Sequence, residues 1–198
     1  ATIALMSCYE GLNNQEQLLL AAQAVLSIDK ITAELEVKAR LIIADNAFQD
    51  SEYYLANKQY KWIVDATNSS AGAHAQYYLA YIFFLQDDFS SAEKYIFKLS
   101  EEFTDDYFIA KGFILLADVY LAQDNFFQAK ATLESIIENH EGQELKQIAT
   151  NKKQLIIDLE NEQNQEPVES EVVIDLVEDM DIDFDDLMEA ELSEENEE

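Results

Sequence analysis

Large apolar side chains recur at helical spacing along most of this 198-residue chain, and the pattern is clearest between Tyr107 and Glu138. There Phe113, Leu116 and Tyr120 share one helical face and Phe126, Leu133 and Ile136 share another, with the small residues Ala117 and Ala129 set among them. Small residues at two such points predict two antiparallel helices that touch closely at the alanines. Gln123, Asp124 and Asn125 supply the turn between them. Asn125 and Gln128 have the spacing of a capping box, in which each side chain would satisfy a backbone N–H of the other residue. The predicted unit is a helical hairpin.

The unit occurs three more times upstream. Ala117/Ala129 is preceded by Ala80/Ala92, Ala44/Ala56 and Met6/Leu18, each pair twelve residues apart, at successive steps of 37, 36 and 38 residues. Polar turn residues stand at the matching places, as Asn13-Asn14, Gln49-Asp50-Ser51 and Asp87-Asp88, and Asn14 with Gln17 repeats the capping-box spacing. The expected hairpins cover about residues 1–28, 32–67, 73–102 and 107–138, with Asn68 to Gly72 as a break. Thr104-Asp105-Asp106 can cap the helix that follows it. A capping helix over about 143–161 carries Leu145, Ile148, Ala149, Leu155, Ile156 and Leu159 on one side. The domain division is a repeat body over 1–162 and an acidic, largely disordered tail over 163–198.

This succession resembles the tetratricopeptide repeat family. Leu116, Ala117, Tyr120 and Ala129 take that family's large, small, aromatic and small positions, as do Leu79, Ala80, Phe83 and Ala92. Ile43, Ala44 and Ala56 fit as well, with Ala47 in the aromatic place, and in the first unit Leu5 and Tyr9 fit while Met6 and Leu18 replace both small residues. The period exceeds the family's roughly 34 residues, and the proline expected at repeat ends is missing. The resemblance implies an all-α, right-handed superhelical solenoid. The wording of the last two units is most similar to tetratricopeptide proteins of the bacterial cell envelope, which implies the periplasm or envelope as compartment.

Carried over residue by residue, the family's concave groove falls on Lys38, Leu41, Asp45 and Phe48, on His74, Tyr77, Tyr81 and Phe84, and on Lys111, Ile114, Asp118 and Leu121. Aromatic anchors flanked by Lys and Asp suit an extended peptide or a helix bearing apolar side chains and a few charges. The residues by themselves leave another reading open, in which Tyr77, Tyr81 and Phe84 pack against a neighbouring hairpin. Trp62 is read as a helix-packing residue.

Composition narrows the field. Apolar residues make up 48% of the chain and only four glycines and one proline occur, which favours helices over sandwiches and barrels. No run of eighteen apolar residues exists, so membrane insertion is not expected. The net charge of −29 divides into −16 over residues 166–198, which hold sixteen acids and no base, and −13 over the remainder. Such a chain is repelled by phosphate, and nucleic acid is not an expected partner. The chain opens at Ala1 inside the periodic pattern, without an initiating methionine or a basic leader, which predicts further sequence upstream.

Candidate chemistry is sparse. Cys8 is the single cysteine, so no internal disulfide forms, and it reads as a small core residue. His74 and His140 have no zinc spacing and read as surface histidines. Asp179 to Asp185 resembles the opening of a calcium loop but lacks its glycine and its closing glutamate. No phosphate loop, nucleophile elbow or positioned acid and base is present, so neither an enzyme nor a cofactor is expected. In the tail, Val173, Val177, Met180, Phe184 and Leu187 would form one helical stripe, while Met180 to Asp185 alternates like a strand. Acidic and apolar mixtures of this kind order on partners. The expected function is a non-catalytic scaffold binding a protein or peptide in the groove. The alternative is an assembly or chaperone-like factor whose tail captures a basic or partly folded client.

Overall fold

The structure, a computed structural model, describes Met6, Cys8, Tyr9, Gly11, Leu12 and residues 14–163. Among the described residues it is all helix: α1 (Gln15–Leu26), α2 (Ala33–Gln49), α3 (Tyr53–Ala66), α4 (Ser70–Leu85), α5 (Phe89–Glu102), α6 (Asp106–Ala122), α7 (Phe126–Asn139) and α8 (Gln143–Gln163). Met6, Cys8, Tyr9 and Gly11 are also helical. Contacts divide the chain into two compact units, Ala1–Ile157 and Asp158–Glu198, and of the second only the end of α8 is described. The tail stripe from Val173 to Leu187 lies outside the described residues.

From α1 to α7 each helix packs on the next in sequence, and in addition α2 touches α4 and α4 touches α6. The hairpins α2/α3, α4/α5 and α6/α7 therefore stand next to one another, the second helix of each on the first helix of the next, with their first helices also in contact. Ala44, Ala56, Ala80, Ala92, Ala117 and Ala129 are all completely buried, as close helix approach at those points requires, and Met6 and Leu18 are buried in the first unit. One core runs from Val37 to Val119, through both faces of α4, and a smaller one gathers Met6, Leu18, Ala22 and Val25 against Ala39 and Ile43. Leu145, Ala149 and Ile156 are buried on α8, and Lys153 of that helix pairs with Glu134 of α7.

The turns inside the last three hairpins share one device. Ser51, Asp87 and Asp124 have φ of 58°, 56° and 57°, the left-handed region. In each case the following N–H reaches back five residues: Glu52 N to Ala47 O at 2.7 Å, Asp88 N to Phe83 O at 2.9 Å and Asn125 N to Tyr120 O at 2.8 Å. The left-handed residue itself donates three back, to Phe48, Phe84 and Leu121. This pair of bonds closes a helix C-terminus by the Schellman arrangement, and the next residue is already the N-cap of the second helix. Asn14, Asp88 and Asn125 accept from Gln17, Ser91 and Gln128 N–H groups.

The capping boxes are half of what the spacing suggested. The N–H groups of Asn14 and Asn125 go to Tyr9 and Tyr120 carbonyls, so Gln128 takes the Asn125 side-chain amide instead. Ser51 has no short carboxamide or carboxylate to ease its left-handed backbone, so Ser51→Gly should stabilise the fold by about 0.5–1 kcal/mol. A thermal melt that moves down would count against this turn geometry.

The break predicted at 68–72 is shorter than expected. Ser69 is the N-cap, α4 begins at Ser70, and Gly72 lies inside its first turn. A methyl group there would overlap the Thr67 carbonyl oxygen and stand 2.7 Å from the Phe103 ring, so this glycine marks close approach and not a loop. Asp105 caps α6 through Phe108 N–H at 3.1 Å, as its position suggested.

Candidate protein-binding face

The face in question is made by the first helices of the last three hairpins, α2, α4 and α6. α4 touches α2, α3, α5 and α6, and every residue from Gly72 to Ala80 is buried. That burial decides the state of several groove positions. His74, Tyr77, Lys111, Ile114 and Leu121 are buried. Leu41, Asp45, Phe48, Tyr81, Phe84 and Asp118 are half-buried, and Lys38 is exposed.

The aromatic positions form one connected group. Phe48 of α2 meets Tyr81 of α4 with ring centroids 5.5 Å apart, Tyr81 meets Phe84 at 6.2 Å and Tyr77 at 6.0 Å, and Tyr77 meets Phe108 of α6 at 6.2 Å. Tyr78, which the groove reading did not include, joins them edge-on to Phe48 at 4.8 Å and stacks on Tyr60 at 5.5 Å. Packing between hairpins, the reading left open for Tyr77, Tyr81 and Phe84, is thus present for Tyr77 and Tyr81, whereas Phe84 meets Tyr81 of its own helix and Phe89 of its own hairpin. Phe48, Tyr81 and Phe84 are half-buried and so remain partly accessible to solvent.

The charged positions are engaged within this framework. His74 is 7% exposed and not a surface histidine, a correction to the sequence reading; its Nε2 lies 2.9 Å from Asp45 Oδ1. The Tyr60 hydroxyl donates to the same oxygen at 2.6 Å, so Asp45 ties α2 to both α3 and α4. The imidazole stacks on Tyr78 at 4.7 Å and tilts against Phe108 at 5.1 Å. Burying a polar ring without such a partner is costly, and the partner stands 29 residues away in sequence.

Lys111 lies over the Tyr77 ring at 4.9 Å and near the Tyr107 and Phe108 rings at 5.6 and 5.9 Å, a cation held against aromatic faces. Burial, and then the neighbouring Tyr78, Tyr81, Asp118 and Tyr107, hold the Tyr77 phenol well above its usual pKa of 10.0. It stays protonated as a donor at neutral pH. Asp118 receives Lys152 of α8 through both oxygens, at 2.8 and 3.0 Å. Trp62 packs, as expected, with the Arg40 guanidinium 4.1 Å from its ring centre; the same arginine donates to Glu36 and to Gln59 of α3.

Among the described residues, no group of three His, Cys, Asp or Glu side chains could hold a metal ion. No helix among them is long and apolar enough to cross a membrane. Cys8 is exposed, contrary to its reading as a core residue. Comparison with models of known protein families gives no match, and comparison with curated proteins gives none either.

Proposed function

We propose that this chain is a non-catalytic protein-interaction scaffold, a tetratricopeptide-like solenoid of right-handed superhelical form that takes a peptide or a helix along α2, α4 and α6. The cell envelope is the compartment that the resemblance implies. The observation that supports the reading is the row of half-buried rings Phe48, Tyr81 and Phe84 crossing from one hairpin to the next on the first helices. Rings already locked by their neighbours lose little entropy on binding, which is what makes aromatic anchors effective. His74, Tyr77 and Lys111 act below them as the packed floor that fixes their positions. Leu41, Lys38 and Asp45 extend the face along α2, and Ile114, Asp118 and Leu121 continue its floor along α6.

Site-specific photo-crosslinking tests this. A photoreactive phenylalanine analogue placed at Tyr81 or Phe84 should label a discrete partner, while the same group at Tyr54, which is 88% exposed on α3, should not. Equal labelling from Tyr54 would remove the assignment to the first-helix face. The second reading, client capture by the tail, is favoured by its sixteen acids interleaved with apolar residues. It predicts that deleting residues 166–198 abolishes partner binding while Tyr81→Ala leaves it intact.

A further inference from the structure

A cleft of about 670 Å³ lies on the other side of the hairpins, between the second helices α5 and α7. Its floor is α6, through Ile109, Phe113, Leu116 and Tyr120, whose spacing of four, three and four places them on one helical stripe. Ala131, Thr132 and Ser135 of α7 make a low wall, and Phe97 of α5 stands opposite, 40% exposed and edge-on to Phe113 at 6.4 Å.

The preceding pair of second helices, α3 and α5, shows what the same register looks like when closed. The counterparts of the floor are Gly72, Gln76, Leu79 and Phe83, each 37 residues earlier. Gln76 is completely buried and donates to the Tyr95 carbonyl oxygen at 2.8 Å, and Phe83 packs on the Tyr95 ring at 4.9 Å. Tyr95 is the counterpart of Thr132. Lys94 and Lys98 stand where the cleft has Ala131 and Ser135, and Lys61 stands where it has Phe97. Three lysines and a tyrosine thus stand where the cleft has one phenylalanine and three small side chains, and Tyr95 is the side chain that covers the floor where the cleft has only Thr132.

The difference also sets the charge. Asp106 and Glu141 line the end of the cleft at the α6 N-terminus, and Glu93 accepts from the Tyr120 hydroxyl at 3.0 Å at the other end. No Lys or Arg is among the lining residues. An apolar floor running eleven steps from Ile109 to Tyr120 spans about 16 Å at 1.5 Å per residue, the length of three helical turns. Small side chains along one wall allow a backbone to come close, and no strand edge exists among the described residues to pair with an extended chain.

We propose that this cleft is a second docking site, for an amphipathic α-helix of a partner protein that carries large apolar residues on one face and lysine or arginine toward both ends. Its anchors fill the space over Phe113 and Ile109, and its basic residues meet Asp106 and Glu141 at one end and Glu93 at the other. The site is independent of the first-helix face.

The test uses the full chain and a synthetic helix of leucine and lysine with one tryptophan reporter, about 15 residues long at 1.5 Å per residue, beside its leucine and glutamate counterpart. The leucine-lysine peptide should bind, and Thr132→Tyr, which installs the residue that α5 already carries at this register, should weaken binding by about tenfold or more. Ser135→Lys, at an exposed position, should weaken it as well and serves if the tyrosine variant melts early. Tyr81→Ala should leave it unchanged. Equal binding of the leucine-glutamate peptide, or undiminished binding by folded Thr132→Tyr and Ser135→Lys proteins, would overturn the proposal.

Discussion

Replacing Gly72 by alanine should lower stability by about 2–3 kcal/mol, although alanine is the better helix former by roughly 1 kcal/mol. The added methyl group would meet the Thr67 carbonyl oxygen, which is backbone at the end of α3, and the Phe103 ring, which is 5% exposed and held in the core. Neither can turn aside, so α4 would have to move from α3. Gly112 provides the contrast within the same fold. A methyl group there would meet only Leu99 Cδ2 at 2.9 Å, the end of a side chain that can turn, and Ile96 Cγ2 at 3.5 Å, an ordinary van der Waals contact. Gly112→Ala should therefore fall within about 1 kcal/mol of the parent, its helix-propensity gain offsetting a small repacking cost. Urea unfolding of the two variants measures the difference, and equal midpoints would show that the α3–α4 junction is looser than its geometry.

What could be read from the sequence was the part fixed by local physics. Alanines at matched positions, the polar residues at the turns of the last three hairpins and Asp105 before a helical run each act over one or two helical turns, and they are buried, turn the chain and cap a helix as their spacing implied. The left-handed closures were less visible because Ser51, Asp87 and Asp124 stand where glycine is the usual signal. Burial of His74 depends on Asp45 in another hairpin, a pairing that no local pattern carries.

One signal for the burial of the predicted groove positions was present in the sequence. Between Asp65 and Asp87 no charged residue occurs, and a helix apolar on all sides is a central helix. That reading would have placed Tyr77 in the floor at once, since its face of α4 is covered by α6. The α5–α7 cleft could likewise be found only by comparing units position by position, where Lys61, Lys94 and Lys98 give way to Phe97, Ala131 and Ser135. Positions that match between units report the fold, and positions that fail to match report what one unit does alone.

Ala117→Leu is the sharpest test of the matched positions, with an expected loss of about 1–3 kcal/mol from overpacking. Ala117 is completely buried between α6 and α7, with Leu133 and Ala129 of the facing helix also completely buried, so three added carbons have no free volume to enter. The first unit shows how the chain accommodates bulk at this register. Met6 and Leu18 occupy the two small-residue places and are themselves buried, so the helices there are set by larger side chains. The reverse change, Met6→Ala, should then destabilise as well, by about 2–4 kcal/mol through the cavity it opens. If the hairpins shared one fixed helix separation, leucine would be harmful at 117 and alanine harmless at 6. Loss of stability in both variants, read from their melting temperatures, is the outcome expected when each unit has its own spacing and each small or large residue is fitted to it.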